Sequence, residues 1–452
     1  MTKKLNFRQS LVIASMLFGL FFGAGNLIFP VSMGQLAGAD VWQASAGFLL
    51  TGVGLPILGV AALGISRENG LLELSSRIGK GYGMFFTCAL YLTIGPFFAI
   101  PRCATVSFTI GPGTVLSPQS QTLALGIFSF VFFAVALFLA LRPGEILTWV
   151  GKVLTPLFLV LLGVLVLRAL TAPMGEISEI APQGAYASGA FFKGFLEGYN
   201  TMDALAGLAF GIIVINVIRT LGVEKPEDIA VSTVKAGVFT AIIMSAIYLL
   251  ITVVGTQSRG VFPAAANGGD ALVQISEYYF GGVGIVILAL IGTVACLKTA
   301  VGLITSCGAT FEKMFPSGPS YRAWAVIFAV VSFVIANAGL NAIIAYSVPV
   351  LMFLYPLAVA LILLTLFGKA FGNDRIVYRW VIGFTLIAAL VDFFNALPEG
   401  TARFLHITGA AQAARDLLPL GDLGFGWLCP GAVGLVIGLI LHKRREAQEA
   451  KK

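Results

Sequence analysis

Two glycine-rich segments inside apolar stretches contain the residue types that could bind a small zwitterion. The first is Gly23-Ala24-Gly25-Asn26, and the second leads from Tyr199 and Asn200 to the carboxylate of Asp203. Glycine permits non-helical backbone, which at membrane depth is tolerated only where it lines a cavity or is buried in protein. Free amides at the start of a half-helix could bind a carboxylate, and carbonyls at the end of one could bind an ammonium or a cation.

The same residues have structural roles open to them. Asn26 could bind a ligand through its side-chain oxygen, or it could cap the helix that follows. Asp203 immediately precedes an apolar run, so it is both a candidate binding residue and a good N-cap. The glycines could equally provide a kink for tight helix packing. Tyr199 and Asn200 are further candidates for lining a cavity.

The other charged residues within the apolar stretches, and the cysteines and histidines, do not indicate a catalytic or metal site. Arg102 follows a proline in an apolar span, where an arginine requires a partner or a water-filled cavity. Lys193 and Glu197, four residues apart, can pair on one helix face. The five cysteines and two histidines lack the spacing of metal ligands, so no metal site and no cofactor are expected.

The composition sets the class of protein that must position these residues. Of 452 residues, 58% are hydrophobic and 11% are charged, against roughly 25% charged in soluble domains. A soluble enzyme is therefore excluded, and repeated apolar runs of about 20 residues match the thickness of a bilayer. An intramembrane enzyme is disfavoured because no zinc-protease or nucleotide-binding motif occurs. A channel is disfavoured because no filter-like repeat or charge ring is present.

Hydropathy predicts twelve transmembrane helices. They lie near 9–36, 41–65, 82–110, 121–141, 146–170, 190–219, 233–255, 282–308, 321–339, 341–367, 376–397 and 421–441. The first run follows Lys3, Lys4 and Arg8 and continues past its small residues, which favours a retained helix over a cleaved signal peptide.

The basic residues indicate orientation rather than a nucleic-acid partner. With the N-terminus in the cytoplasm, the inner segments hold 21 of the 28 Lys and Arg residues. The positive-inside rule therefore predicts that both termini are cytoplasmic. The protein is expected to be surrounded by membrane lipid. Despite its net charge of +7, it is not expected to bind nucleic acid.

The two interrupted spans, the first and the sixth, are about 175 residues apart. The sixth span begins a second unit after five spans, and an odd number of spans in a unit inverts the second unit relative to the first. Interrupted segments at corresponding positions of two halves mark a transporter's binding site. We therefore predict an all-α membrane protein with a 5+5 inverted repeat, broken helices 1 and 6, and two peripheral helices. The predicted units are 1–175, 176–370 and 371–452.

Four separated motifs resemble the bacterial branched-chain amino acid:cation symporters. They are Gly23-Ala24-Gly25-Asn26 with Phe29-Pro30, Gly95-Pro96 through Pro101-Arg102 and Val106-Ser107-Phe108, Gly198-Tyr199 with Thr201-Met202-Asp203, and Ser347-Val348-Pro349-Val350-Leu351 with Tyr355-Pro356. The resemblance covers nearly the whole chain. It implies a fold of the leucine-transporter type, within the amino acid-polyamine-organocation superfamily.

The resemblance also implies a function. It indicates a secondary transporter of the bacterial cytoplasmic (inner) membrane that imports Leu, Ile and Val by symport with Na⁺. Another small neutral amino acid in the same fold is the alternative substrate. Where the family usually has an acid after Val-Ser-Phe, this chain has Thr109, so a family partner for Arg102 cannot be carried over.

Lys298 is a second departure from the family pattern. The resemblance implies a cation held by carbonyls of the first broken span, here around Gly19 and Phe22, and by span 8. In Ala295-Cys296-Leu297-Lys298-Thr299, Lys298 takes one of those ligand positions, where relatives carry a small or uncharged residue. It lies beside a small and polar stripe that includes Ala295 and Thr299, so it is expected to face the bundle. Snorkelling is the alternative, but a lysine stem cannot span the about 21 Å of helix to Glu312. The ammonium could replace sodium, which predicts H⁺ coupling or exchange.

Overall fold

The computed structural model describes residues 5–66, 68, 70–142 and 152–449, and within them the chain forms helices and no strand. The helices of the first half are α1 (Phe7–Phe21), α2 (Ala24–Ala37), α3 (Val41–Leu49), α4 (Leu55–Ser66), α5 (Leu71–Ser75), α6 (Lys80–Leu92), α7 (Ala99–Thr109), α8 (Pro118–Ala140) and α9 (Thr155–Thr171). Those that follow are α10 (Tyr186–Tyr199), α11 (Asp203–Thr220), α12 (Pro226–Ser258), α13 (Gly268–Phe280), α14 (Gly282–Met314), α15 (Tyr321–Ala336), α16 (Leu340–Leu366), α17 (Arg375–Asn395), α18 (Glu399–Phe404), α19 (Thr408–Asp416) and α20 (Leu428–Glu449).

Length and composition identify the helices that can cross a membrane. Among the described residues, nine helical stretches are long and apolar enough, and α1 and α15 are shorter apolar helices. The predicted all-α membrane fold is therefore confirmed, whereas the count of twelve crossings and the boundaries of the three units stay predictions. The predicted start of span 5 at 146, and Lys3 and Lys4 of the orientation count, lie outside the described residues.

Both predicted helix breaks are present. The first falls at Phe22 and Gly23, whose backbones are extended between α1 and α2. The second falls between α10 and α11, where Met202 has a left-handed backbone with φ of 65°. Each break leaves amides and carbonyls without helical partners in the middle of the bundle, because helix ends leave such groups unpaired.

The half-helices around the breaks pack through glycine against other helices. A Cβ atom on Gly34 of α2 would lie 2.2 Å from the Thr252 carbonyl oxygen of α12. A Cβ atom on Gly47 of α3 would lie 2.0 Å from the Phe191 oxygen of α10. Only glycine fits at such distances, so the backbones approach closely, as is common between membrane helices.

A third irregularity, in predicted span 3, aims α7 at the core. Between α6 and α7, residues Thr93–Phe97 form a π-type turn in which Gly95 is non-helical and Pro96 has no amide to donate. The turn starts α7 at Ala99, and almost all of α7, including Arg102, is buried. Hydropathy alone does not reveal this kink.

The last two spans differ from the prediction in one boundary and one contact. The predicted start of span 12 at residue 421 is wrong, because a short 3₁₀ turn and Gly424, with φ of 75°, delay α20 until Leu428. α17 and α20 pack on each other. The segment before α20 reaches inward, where the Phe425 ring lies 4.7 Å from that of Phe195 on α10.

Candidate functional site

A small cavity lies where the two broken helices meet. Six predicted site residues line it: Gly23, Ala24, Gly25, Asn26, Asp203 and Thr299. Its volume of about 20 Å³ is room for about one water molecule. An amino acid can therefore enter only when the lining moves apart.

Asn26, Asp203 and Tyr248 form a buried polar network on one wall of the cavity. The Nδ2 atom of Asn26 donates to Asp203 Oδ2 at 2.5 Å and also contacts the Tyr248 hydroxyl. That hydroxyl donates to the same carboxylate oxygen at 2.9 Å. All three side chains are at most 2% exposed. The network joins α2, α11 and α12 and fixes the position of the Asp203 carboxylate at the cavity.

The network bears on the alternative roles of its two predicted members. Asn26 is the third residue of α2, and its Oδ1 accepts the Gly23 amide hydrogen at 2.9 Å, so it caps the half-helix while its Nδ2 binds Asp203. Asp203 is the first residue of α11, and the N-cap position belongs to Met202. In the described residues, the Asp203 carboxylate accepts hydrogen bonds from Asn26 and Tyr248.

Arg102 also lines the cavity and is 2% exposed. Its Nη1 donates to the Asn200 carbonyl oxygen at 2.8 Å, and its Nη2 donates to the Thr201 oxygen at 3.5 Å. The guanidinium carbon lies 5.3 Å from the centroid of the Phe29 ring. The partner that an intramembrane arginine needs is therefore the carbonyl end of α10.

Lys298 faces the bundle as predicted, but its ammonium contacts aromatic rings. The residue is fully buried, and Nζ has no hydrogen-bond partner in the described part of the chain. Nζ lies 4.3 Å from the ring centroid of Phe158, 4.9 Å from that of Phe18 and 5.7 Å from that of Phe22. We call these three rings the phenyl cage. The rings supply cation–π attraction.

The remaining predicted cation-site residues surround the first break. In a continuous helix the Gly23 amide would donate to the Gly19 carbonyl, but here it donates to Asn26. Thr299 packs against Gly23, where a Cβ atom would lie 2.7 Å from Thr299 Oγ1. That buried hydroxyl has no partner among the described residues. Ala295 and Gly19 are buried but do not line the cavity.

The other two predicted substrate-binding residues point elsewhere. The Tyr199 ring stacks on that of Tyr355 at 4.0 Å. The Asn200 side chain donates to Glu197 at 3.3 Å, although its carbonyl binds Arg102. Glu197 also forms the predicted pair with Lys193, with a nitrogen–oxygen distance of 3.5 Å. Neither Tyr199 nor Asn200 is among the residues that line the cavity.

Two larger pockets lie on the predicted outer side. One, of about 250 Å³, is lined by Phe29, Glu197 and Asn267, and the other, of about 640 Å³, by Asn267 and Asp270. Burial raises the pKa of the Asp270 carboxyl, and its hydrogen bond from Asn267 opposes that rise. Phe29 lines the smaller pocket and also stacks on Arg102, which lines the cavity between the broken helices.

Sequence reasoning did not identify Tyr248 or Phe158. The signal for Tyr248 was a hydroxyl in the middle of an apolar span, where a buried polar group requires a hydrogen bond. Phe158 carried no signal, because phenylalanine in an apolar span is ordinary membrane composition.

Comparison with known proteins gives a consistent result over the whole chain. The profile of a family described as "Branched-chain amino acid transport protein" matches residues 6–445. The chain is 52% identical over 449 residues to the branched-chain amino acid permease BrnQ of Lactobacillus delbrueckii subsp. lactis, covering 98% of this chain and 100% of that one. It is 43% identical over 441 residues to BrnQ of Bacillus subtilis, covering 98% of both chains. It is 41% identical to the branched-chain amino acid transport system 2 carrier protein of Pseudomonas aeruginosa, covering 97% and 98%.

Two solved structures are similar in fold. Mhp1, a nucleobase-cation-symport-1 family transporter in a closed conformation, matches with a TM-score of 0.61 and 14% identity, covering 97% of this chain and 93% of that one. MhsT in complex with L-phenylalanine matches with a TM-score of 0.57 and 16% identity, covering 98% and 99%. These likenesses concern the fold alone, and they confirm the leucine-transporter type.

Proposed function

The chain belongs to the family of branched-chain amino acid transport proteins, and from this premise we propose that it imports Leu, Ile and Val by cation-coupled symport with alternating access. Membership of a transporter family excludes the intramembrane enzyme considered above. The observation that supports the binding mode best is the meeting of two broken helices at one cavity. Its lining holds one carboxylate, of Asp203, and one guanidinium, of Arg102, which are complementary to the two charges of an amino acid.

In this proposal the substrate backbone binds at the two breaks. Its carboxylate approaches the amides of the first turn of α2, from Ala24 to Asn26, where the dipole of α2 is favourable. Its ammonium approaches Asp203, whose present donors are neutral side chains. Leu20, Phe210 and Leu303 offer an apolar surface to a branched side chain. The volume of about 20 Å³ requires this lining to separate, which an alternating-access cycle would provide.

For the coupling ion, we propose that the protein is independent of sodium and uses protons or exchange. The family resemblance alone favours Na⁺. Lys298, however, holds a fully buried ammonium against Phe22 at the first break, and Thr299 beside it contacts the same break. Two unit charges 4 Å apart repel by about 4 kcal/mol at an effective dielectric of about 20. A sodium ion beside this ammonium would therefore bind weakly.

Uptake of labelled leucine into proteoliposomes tests both parts of the proposal. Saturable accumulation that an ion gradient drives is expected, and flux without accumulation would indicate a channel. Uptake is expected to be equal in sodium and choline buffer and to depend on a proton gradient or on internal amino acid. Strong sodium dependence of the unmodified protein would contradict sodium independence without affecting the transport assignment.

Two lysine variants sharpen the ion test. Lys298→Thr is expected to lose proton-coupled uptake or to acquire sodium dependence. Lys235→Thr removes an exposed lysine from α12 and serves as the matched control, with unchanged uptake expected. Unchanged uptake in Lys298→Thr would remove Lys298 from the coupling mechanism.

Substrate range and orientation complete the proposal. Competition by unlabelled Leu, Ile and Val is expected to exceed that by alanine or serine, and the reverse order would favour another small neutral amino acid. We assign both termini to the cytoplasm of a bacterial inner membrane, because of the loop charges. Reporter fusions after residue 449 test this, with a periplasmic signal as the contrary result.

A further inference from the structure

We propose that Arg102 binds the carboxylate of the transported amino acid through the Nε–Nη2 edge of its guanidinium group. This inference rests on the proposed function, and it names the residue that selects the carboxylate. It also predicts which analogues of leucine the protein rejects.

One end of the guanidinium is anchored. Arg102 is almost completely buried in α7, and its Nη1 donates to the Asn200 carbonyl at 2.8 Å. The stack on Phe29, 5.3 Å from the ring centroid, holds the plane of the group. A guanidinium fixed in this way is preorganised for a planar ligand, because little rotamer freedom remains to be lost.

The other edge is available. Nε has no hydrogen-bond partner among the described residues, and the Nη2 contact to the Thr201 carbonyl is long, at 3.5 Å. The N–H groups of Nε and Nη2 point to the same side, with a spacing that matches the two oxygens of a carboxylate. Arg102 therefore has a free bidentate donor pair at a residue that lines the cavity.

The Asp203 carboxylate attracts the charge of Arg102 but does not form an ion pair with it. No carboxylate in the described ranges forms an ion pair with it, and Asp203, which also lines the cavity, is bound by Asn26 and Tyr248. An unpaired charge at such depth is costly. A ligand carboxylate would supply the missing negative charge.

The free edge lies beside the first turn of α2, the helix that follows the first break. A Cβ atom on Gly25 would lie 2.8 Å from Nη2, so the guanidinium adjoins the first turn of α2. The amides of Ala24 and Gly25 have no partner within that helix. When the cavity opens, a carboxylate between the two receives hydrogen bonds from both sides. The ligand class is therefore a free 2-amino acid, not its amide, ester or decarboxylated amine.

A ligand series on the unmodified protein is the first test. Binding of leucine, leucinamide and 3-methylbutylamine to purified protein is measured by competition with labelled leucine. Leucinamide and the amine are expected to bind about 100-fold more weakly, which is the loss of charge-assisted hydrogen bonds. Equal affinity for leucine and leucinamide would overturn the role of Arg102 and leave the proposed function intact. Absence of leucine binding would defeat the proposed function itself.

Arg102 variants are the second test. Arg102→Gln is expected to weaken the binding of leucine by about 100-fold and to change the binding of leucinamide little. The preference for the carboxylate therefore disappears. Arg102→Lys keeps the charge but loses the bidentate edge, and an intermediate preference is expected. Arg168→Gln removes an exposed arginine that lies over Tyr279 and is the control. An equal loss of affinity for leucine and leucinamide in Arg102→Gln would show that Arg102 has only a structural role. If Arg102→Gln does not fold, Arg102→Lys and the ligand series decide.

Discussion

Replacing Gly25 with alanine is expected to weaken leucine binding while leaving the fold intact. The added methyl group would lie 2.8 Å from Arg102 Nη2 and 3.3 Å from both Arg102 Cζ and Phe29 Cδ2. Ordinary contact begins near 3.4 Å, so the guanidinium must retreat by about 0.6 Å. The shift displaces Nη2, whose contact to Thr201 is already long at 3.5 Å, from the position in which it would meet a ligand carboxylate.

The size of the effect follows from the hydrogen bond that a displaced Nη2 can no longer donate to the ligand carboxylate. A hydrogen bond to a charged group contributes about 1.5–3 kcal/mol, which corresponds to about 10- to 150-fold in affinity. The methyl group also occupies the space through which a carboxylate would reach the α2 amides. Gly25→Leu fills that space further and is expected to abolish binding. The assay is the dissociation constant of labelled leucine for purified protein in detergent, with thermal unfolding as the measure of folding.

Gly163→Ala is the matched control. Gly163 is also in a helix, α9, but a Cβ atom there would meet nothing within 4 Å. Leucine affinity should be unchanged, and the protein should be slightly more stable because alanine is the better helix former. Wild-type affinity in a well-folded Gly25→Ala protein would refute both the position of the carboxylate and the role of the first break.

Three further variants test the core and its cytoplasmic side. Tyr248→Phe keeps the ring but removes the 2.9 Å hydrogen bond to Asp203, so uptake should fall about 10-fold or more and the unfolding temperature should also fall. Lys298→Met removes a buried charge whose burial the three rings offset only in part, so the unfolding temperature should rise while coupled accumulation is lost. A lower temperature would show that the phenyl cage stabilises the ammonium by more than its burial costs. Burial alone would raise the pKa of Asp374, but the Ile376 amide, His442 and Arg445 together lower this pKa below its ordinary value. Its ionised form therefore stabilises the fold above about pH 4 and loses that effect as the pH falls. Asp374→Asn should accordingly be less stable at pH 7, and the difference should close in unfolding measurements below about pH 4.

The helix breaks could be predicted because their signal is local. The glycines of Gly23-Ala24-Gly25-Asn26 stand inside an apolar run, and glycine at such a place changes the backbone whatever packs around it. The same holds for the depth of Lys298, since no lysine stem reaches the membrane surface from there. Both features depend on a few neighbouring residues, and both were found in the structure.

The partners of these residues could not be predicted, because they come from distant parts of the chain. Arg102 binds backbone carbonyls, which every residue type possesses, so no side chain marks its partner. The phenyl cage combines α1 with Phe158 of α9, and nothing in either segment indicates the other. Asp203 was equally suited to capping and binding, and only the positions of Asn26 and Tyr248 show where its carboxylate points.

The long separation of the Asn26 partners has a consequence for how the protein is made. Asp203 follows Asn26 by 177 residues, and Tyr248 follows it by 222. A ribosome adds about 5–20 residues per second, so about 10–45 s pass between the synthesis of Asn26 and that of Tyr248. During this interval the nascent chain carries a broken first helix whose asparagine lacks its final partners. Closure of the core is therefore a late event in biogenesis, and a chain released before α12 leaves the insertion machinery cannot complete it.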